Sequence, residues 1–144
     1  MKIDFYILDT TSNLQANVFA CKLLEKIYVE NQTPVYIHVN SRDEAERLDN
    51  LLWTYRDDSF IPHQIYSADN DEIIPILIGH NECPANYQEI LLNFSQEIPG
   101  FYQQFKKVIE IVFTDSALQS TARERYKQYR DAGHELNTIK TKCE

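Results

Sequence analysis

The chain has 144 residues, 43% of them hydrophobic, and a formal net charge of −8. That is about one domain with a real core, and the acidic balance argues against broad, non-specific nucleic-acid binding, which needs a basic surface. No apolar run is long enough to span a membrane, and Met1-Lys2-Ile3-Asp4-Phe5 lacks the apolar stretch of a secretory signal. Cys21, Cys83 and Cys143 are widely spaced and odd in number, which is neither a disulfide framework nor a metal knuckle and points to a reducing cytoplasm.

Asp4 to Leu8 is an apolar run rich in aromatic and branched residues and predicts a buried strand. Asp9 to Asn13 is polar turn material. Val18, Cys21, Leu24, Ile27 and Tyr28 then recur at helical spacing over Leu14 to Glu30, and Asn31 to Pro34 break the pattern. Val35 to Val39 predicts a second strand. Ser41 with Glu44 three residues on is a capping-box signature, and Ala45, Leu48, Leu51 and Leu52 carry a second helix to about Tyr55. Strand, helix, strand, helix is the opening of an α/β fold with parallel strands and right-handed crossovers.

From Arg56 to Asp71 the period is lost, and a loop carrying Phe60, Ile61 and Pro62 is expected. Ile73 to Gly79 predicts a short strand in which Pro75 marks an edge or an entry. Tyr87 to Phe94 predicts another strand, Ile98 to Phe105 a short helix with Pro99 in its first turn, and Lys107 to Thr114 a clear strand. Ser116 to Gly133 predicts the last helix, capped by Ser116 and ended by Gly133 in a left-handed turn. The tail from His134 has no long apolar run; Leu136 and Ile139 can anchor it along the body. With no repeat or linker, residues 1–144 are expected to form a single α/β domain: a Rossmann-like, mostly parallel sheet flanked by helices.

The last helix stands out. It carries +2 in a chain of −8, and Arg123, Tyr126, Lys127 and Arg130 at i, i+3, i+4 and i+7 share one face. Like charges at that spacing cost about 0.2–0.5 kcal/mol per pair. A solvated face and a site for an acidic ligand fit the pattern equally; guanidinium forks suit carboxylates and Tyr126 offers a flat apolar contact. Leu118, Ala122, Tyr129 and Ala132 are available for packing.

Enzymatic chemistry finds little support. Only Gly79, Gly100 and Gly133 occur, and none lies in the first strand-to-helix turn, where dinucleotide and P-loop motifs need glycine, so no nucleotide site is expected. His80 and Cys83 have a ligand-like spacing but no second pair, so no metal or cofactor is expected. No local nucleophile motif appears, and Asp57-Asp58 and the acids of 69–72 are expected to be solvated. His38 and Cys21 suit core positions. Trp53, the single tryptophan, and Phe60 bracket a loop as either a local plug, the favoured reading, or an exposed partner anchor.

Essentially the whole chain resembles the chi subunit family of the bacterial DNA polymerase III holoenzyme. The resemblance rests on Phe5-Tyr6-Ile7-Leu8-Asp9, Arg47-Leu48-Asp49 with Leu52-Trp53, and Ser59-Phe60-Ile61-Pro62-His63. The longest block is Ala122 to Lys127 with Tyr129-Arg130, Ala132-Gly133 and Leu136-Asn137. It implies a non-catalytic adaptor with a Rossmann-like fold that binds no nucleotide and pairs with the psi subunit, through which it joins the clamp loader. It also implies binding of the acidic C-terminal tail of single-stranded DNA-binding protein, which ends in Pro-Phe. Carried over by motif, Arg123, Tyr126, Lys127, Arg130 and Gly133 form the tail site, and Trp53, Phe60, Pro62 and His63 the psi-facing surface. In some bacteria a helicase-like repair protein uses that same surface. Direct nucleic-acid and membrane binding are not expected. Two positions depart from the pattern: Gln119 replaces a lysine and His134 an aromatic, which is expected to weaken tail binding or make it pH-dependent. A nucleotide-binding or hydrolytic enzyme on the same frame is the alternative.

Overall fold

A computed structural model describes residues 1–54, 61–67, 73–80, 83–113 and 116–141. In chain order these form β1 (Lys2–Leu8), α1 (Asn13–Asn31), β2 (Val35–His38), α2 (Arg42–Thr54), β3 (His63–Ile65), β4 (Ile76–Gly79) and β5 (Ile90–Asn93). A 3-10 turn (Tyr102–Gln104), β6 (Lys107–Phe113), α3 (Ser116–Asp131) and β7 (Glu135–Thr141) follow. The seven strands make one sheet in the order β3-β4-β2-β5-β6-β1-β7, and each described pairing is parallel. The Rossmann-like α/β architecture is therefore as expected, with the sheet fully rather than mostly parallel.

Local chemistry explains the helix ends. Ser12 Oγ accepts from the Gln15 amide at 3.2 Å to start α1, and Gln32 in a left-handed conformation closes it, its N–H donating to Ile27 and Tyr28 carbonyls. At α2, Ser41 Oγ accepts from the Glu44 amide at 3.3 Å, while Glu44 Oε2 reaches back to the Asn40 amide at 3.0 Å. That is the predicted capping box, returned one residue earlier than in the reciprocal form. At α3 the Gly133 amide bonds the Arg130 carbonyl and the His134 amide the Tyr129 carbonyl, a Schellman closure in which Gly133 takes φ of +86°.

The two-residue period of the strands sends alternate side chains to two separate cores. Leu8, Ile37, Ile78, Leu92 and Ile109 pack against α1 and α2 on one face. Ile3, Phe5, Tyr36, Leu91, Val108 and Val112 pack with Ala122 and Tyr129 of α3 on the other.

Several expectations are corrected. β5 spans only Ile90–Asn93, because Tyr87 turns away to bond the backbone of Ile74 through its hydroxyl. The expected helix at 98–105 is a single 3-10 turn. Pro75 marks a strand entry and not an edge: β4 lies between β3 and β2, and the Pro75 carbonyl accepts from the Val35 amide at 2.9 Å. His63–Ile65, read as loop, is edge strand β3. The tail is a seven-residue strand, β7, paired along the whole of β1. Ala132 is exposed rather than packed.

Candidate functional site

The sheet fixes which side of α3 meets solvent. Glu110, at the centre of β6, is fully buried on the α3 face. Arg125 Nε donates to its Oε1 at 3.1 Å, and Tyr129 donates its hydroxyl to Oε2 at 2.7 Å. Asn93 Nδ2 adds a third bond, to Oε2, at 2.9 Å. Burial pushes the Glu110 carboxyl upward, opposed chiefly by the adjacent Arg125 charge, and burial likewise pushes the Tyr129 phenol up. Ala122, Arg125 and Tyr129, at i, i+3 and i+7, thus face inward.

That orientation turns Arg123, Lys127 and Arg130 outward and exposed. Among the described residues Arg123 and Lys127 make no ion pair, and Arg130 makes only an exposed one, Nε to Asp131 Oδ1 at 3.6 Å. Tyr126 is half-buried, its ring edge-on to Phe5 with centroids 5.2 Å apart. Gly133 ends the face, and the next ring, His134, is bonded through Nε2 to the Tyr102 hydroxyl at 3.1 Å. Gln119 is half-buried at the other end. Predicted tail residues therefore share one surface, but Arg125, which contributed to the basic count, is interior; without it the exposed balance of the stretch falls from +2 to +1. The side chains of Ser116 and Leu118 lie outside the described residues.

The Glu110–Arg125 pair was the residue relationship that sequence reasoning missed. A glutamate inside the apolar run Val108-Ile109-Glu110-Ile111-Val112, with an arginine between Ala122 and Tyr129 on one helix face, is the signal that pointed to it.

At the far end of α2, Trp53 is 54% exposed and its ring lies 4.5 Å from that of His63. His63 is spent on structure: Nδ1 bonds the Ile61 carbonyl at 2.7 Å, and Nε2 approaches the Asp49 carbonyl at 3.2 Å. Its buried ring supports Trp53 from below, while Pro62 is exposed beside it. Phe60 lies outside the described residues, as do Asp57, Asp58, the acids of 69–72 and Cys143.

Other predicted positions are buried or partly buried. Cys21 is fully buried, and burial pushes its thiol up to about 12. Cys83 is likewise pushed up to about 12, and Gln104 Nε2 donates to its sulfur at 3.4 Å. His38 is held between Ser95 Oγ at 3.0 Å and the His80 carbonyl at 3.0 Å. Among the described residues no three His, Cys, Asp or Glu side chains gather as metal ligands, and no helix is long and apolar enough to cross a membrane.

The geometry is thus a parallel α/β sheet with three solvent-facing cations on α3 and an exposed tryptophan seated on His63. The sequence model of the family described as DNA polymerase III chi subunit, HolC, matches residues 1–137, and the chain belongs to that family. DNA polymerase III subunit chi of Pseudomonas aeruginosa is 34% identical over 138 residues, covering 94% of this chain and 93% of the relative. That of Haemophilus influenzae is 34% identical over 135 residues, covering 93% of each. That of Escherichia coli K12 is 30% identical over 138 residues, covering 93% of this chain and 94% of the relative. The family is thus one of replication accessory subunits, not of the catalytic polymerase. Among solved structures, T4 UvsW superposes with a TM-score of 0.69 at 7% identity, over 99% of this chain and 42% of that one. S. cerevisiae Dbp5 bound to Gle1 gives 0.62 at 15% identity, over 96% and 42%. At such identities these likenesses show the fold alone.

Proposed function

We propose that this subunit is a non-catalytic bridge with two protein-binding surfaces on one domain. The α3 face binds the acidic C-terminal tail of single-stranded DNA-binding protein. Arg123, Lys127 and Arg130 meet the acids and the terminal carboxylate, Tyr126 the ring of the final Phe, and Gly133 forms the rim. The Trp53 surface, with Phe60 and Pro62, holds the psi subunit and through it the clamp loader. His63 acts there by seating Trp53. A helicase-like repair protein is a competing occupant of the same surface. The cytoplasm is the compartment this role requires.

The observation that carries the reading is the sorting of α3. Glu110 draws in Arg125 and leaves three cations and one aromatic edge facing solvent without strong internal partners. A peptide ending in Pro-Phe offers the complement: a carboxylate, a ring and upstream acids. Titration of a labelled tail peptide tests it. Arg123→Ala is expected to weaken binding about tenfold, the effect of one charge-assisted contact, and removal of the terminal Phe to weaken it further. Unchanged affinity in Arg123→Ala would move the site off this helix. Phe60→Ala is expected to lose psi in co-purification and keep the tail peptide; retained psi would place that interface elsewhere.

A further inference from the structure

We propose that the cavity beyond the carboxyl ends of β2 and β5 is a binding site for a small phosphate monoester, held between Arg125 and Arg47. This site is separate from both protein-binding surfaces.

The topology creates the cavity. After β2 the chain leaves through α2 on one face of the sheet; after β5 it leaves through the 3-10 turn on the other. In open parallel sheets that reversal opens a crevice, the usual place for ligands. Here the crevice holds about 400 Å3, room for about a dozen waters' share of volume. That exceeds what a bare oxyanion fills and suits an ester with a small body.

Its walls select the chemistry. Arg125 is only 6% exposed. Nε is committed to Glu110 and Nη1 donates to the Gln96 carbonyl at 2.9 Å, but Nη2 makes no hydrogen bond among the described residues. Every buried side-chain nitrogen and oxygen among them has a partner, so Nη2 is not sealed in, and Arg125 is one of the residues that line the cavity. A nearly buried guanidinium, fixed by two bonds and with one nitrogen left over, is an anion contact already in place. Glu110 offsets much of its charge, so Arg125 supplies direction and Arg47, on α2, supplies net attraction. Among the described residues Arg47 donates only weakly, Nε to the Asp43 carbonyl at 3.4 Å. Among the described residues the one carboxylate in the wall, Glu44, is occupied by the Asn40 amide and side chain. Leu48 and Phe94 give the ester body an apolar wall. The glycine-free first turn rules out a backbone pyrophosphate cradle, and a site built from side-chain forks does not need one.

Amide chemical-shift mapping on the full chain tests this, with ribose 5-phosphate as probe and ribose and inorganic phosphate as controls. Ribose 5-phosphate is expected to shift the amides of Asn40, Phe94 and Gln96 saturably, with ribose inert. Arg47→Ala, an exposed change with the remaining spectrum as its folding control, is expected to weaken the response about tenfold, and Arg123→Ala to leave it unchanged. No saturable shift up to about 10 mM, far weaker than ordinary small-ligand affinity, overturns the proposal. So does a response unaffected by Arg47→Ala or confined to the Arg123–Arg130 face. Equal affinity for inorganic phosphate overturns the ester assignment.

Discussion

Glu110 and Arg125 meet 3.1 Å apart in the interior, one fully buried on β6 and the other almost so on α3. They belong to a polar layer in register across three strands. His38 on β2 lies opposite Asn93 on β5, and Asn93 opposite Glu110 on β6. Breaking a buried pair by removing one partner leaves an uncompensated charge. Glu110→Gln is therefore expected to cost about 3–5 kcal/mol in urea unfolding, whereas Glu110→Leu with Arg125→Leu together is expected to cost less than the two single changes summed. Additive losses would show that the two residues act independently.

The face proposed for the tail has an internal competitor. Arg130 shares its charge with Asp131 across 3.6 Å at the surface, an arrangement worth only about 0.2–1 kcal/mol. Asp131→Asn is expected to tighten binding of an acidic Pro-Phe peptide about two- to threefold and leave stability almost unchanged. Raising salt from about 0.05 to 0.5 M is expected to weaken the wild-type complex, since these cations are exposed. Salt-independent binding would mean that the ring, not the charges, carries the affinity.

Two glycines are required for opposite reasons. At Gly133 a Cβ would meet nothing, but φ of +86° disfavours any L side chain, so Gly133→Ala is expected to cost about 1 kcal/mol. At Gly79 an added Cβ would overlap the Tyr36 hydroxyl oxygen. Gly79→Ala is expected to cost about 1–3 kcal/mol through overpacking. Adding Tyr36→Phe should recover part of that loss in a double-mutant cycle, and no recovery would locate the strain elsewhere.

Acid sensitivity is expected from His38. Burial is the main cause of its lowered pKa, so the folded chain holds this ring neutral where the unfolded chain protonates it. Below about pH 6.5 the unfolded state binds more protons, and stability is lost as pH falls toward the folded value. Unfolding free energy measured from about pH 7.5 to 5 should decline, and His38→Gln should flatten that slope. An identical slope in the variant would assign the loss to other groups.

The sequence disclosed the elements whose periodicity is self-contained. α1, α2 and α3 could be read from apolar spacing and end signals, and β1, β2 and β6 from dense branched runs. What stayed hidden was whatever depends on a distant neighbour. β3 and β7 are edge strands with half-exposed, polar-mixed sequences, and they exist because β4 and β1 offer unpaired backbone. Tyr87 looked like strand because its aromatic ring fits the pattern; its hydroxyl instead anchors a loop. On α3 the basic spacing was legible, but only the buried Glu110 decides that Arg125 turns inward while Arg123 does not. Trp53 resembled either plug or anchor, and its exposure follows from His63 filling the space beneath it.

The pairing of β7 with β1 sets a condition on how the chain is made. Its first strand sits between its last two, β6 and β7, and Asn137 Nδ2 donates to Asp4 Oδ1 across 133 residues. During synthesis, β1 emerges with both edges bare and waits until nearly the whole chain has appeared. Such far-separated parallel contacts slow folding and leave sticky strand edges exposed meanwhile. The same helix that separates β6 from β7 carries the basic face, so the surface proposed for the acidic tail takes shape only as the sheet closes. A chain cut before β7 would leave one edge of β1 bare and α3 without one of the strands it packs on.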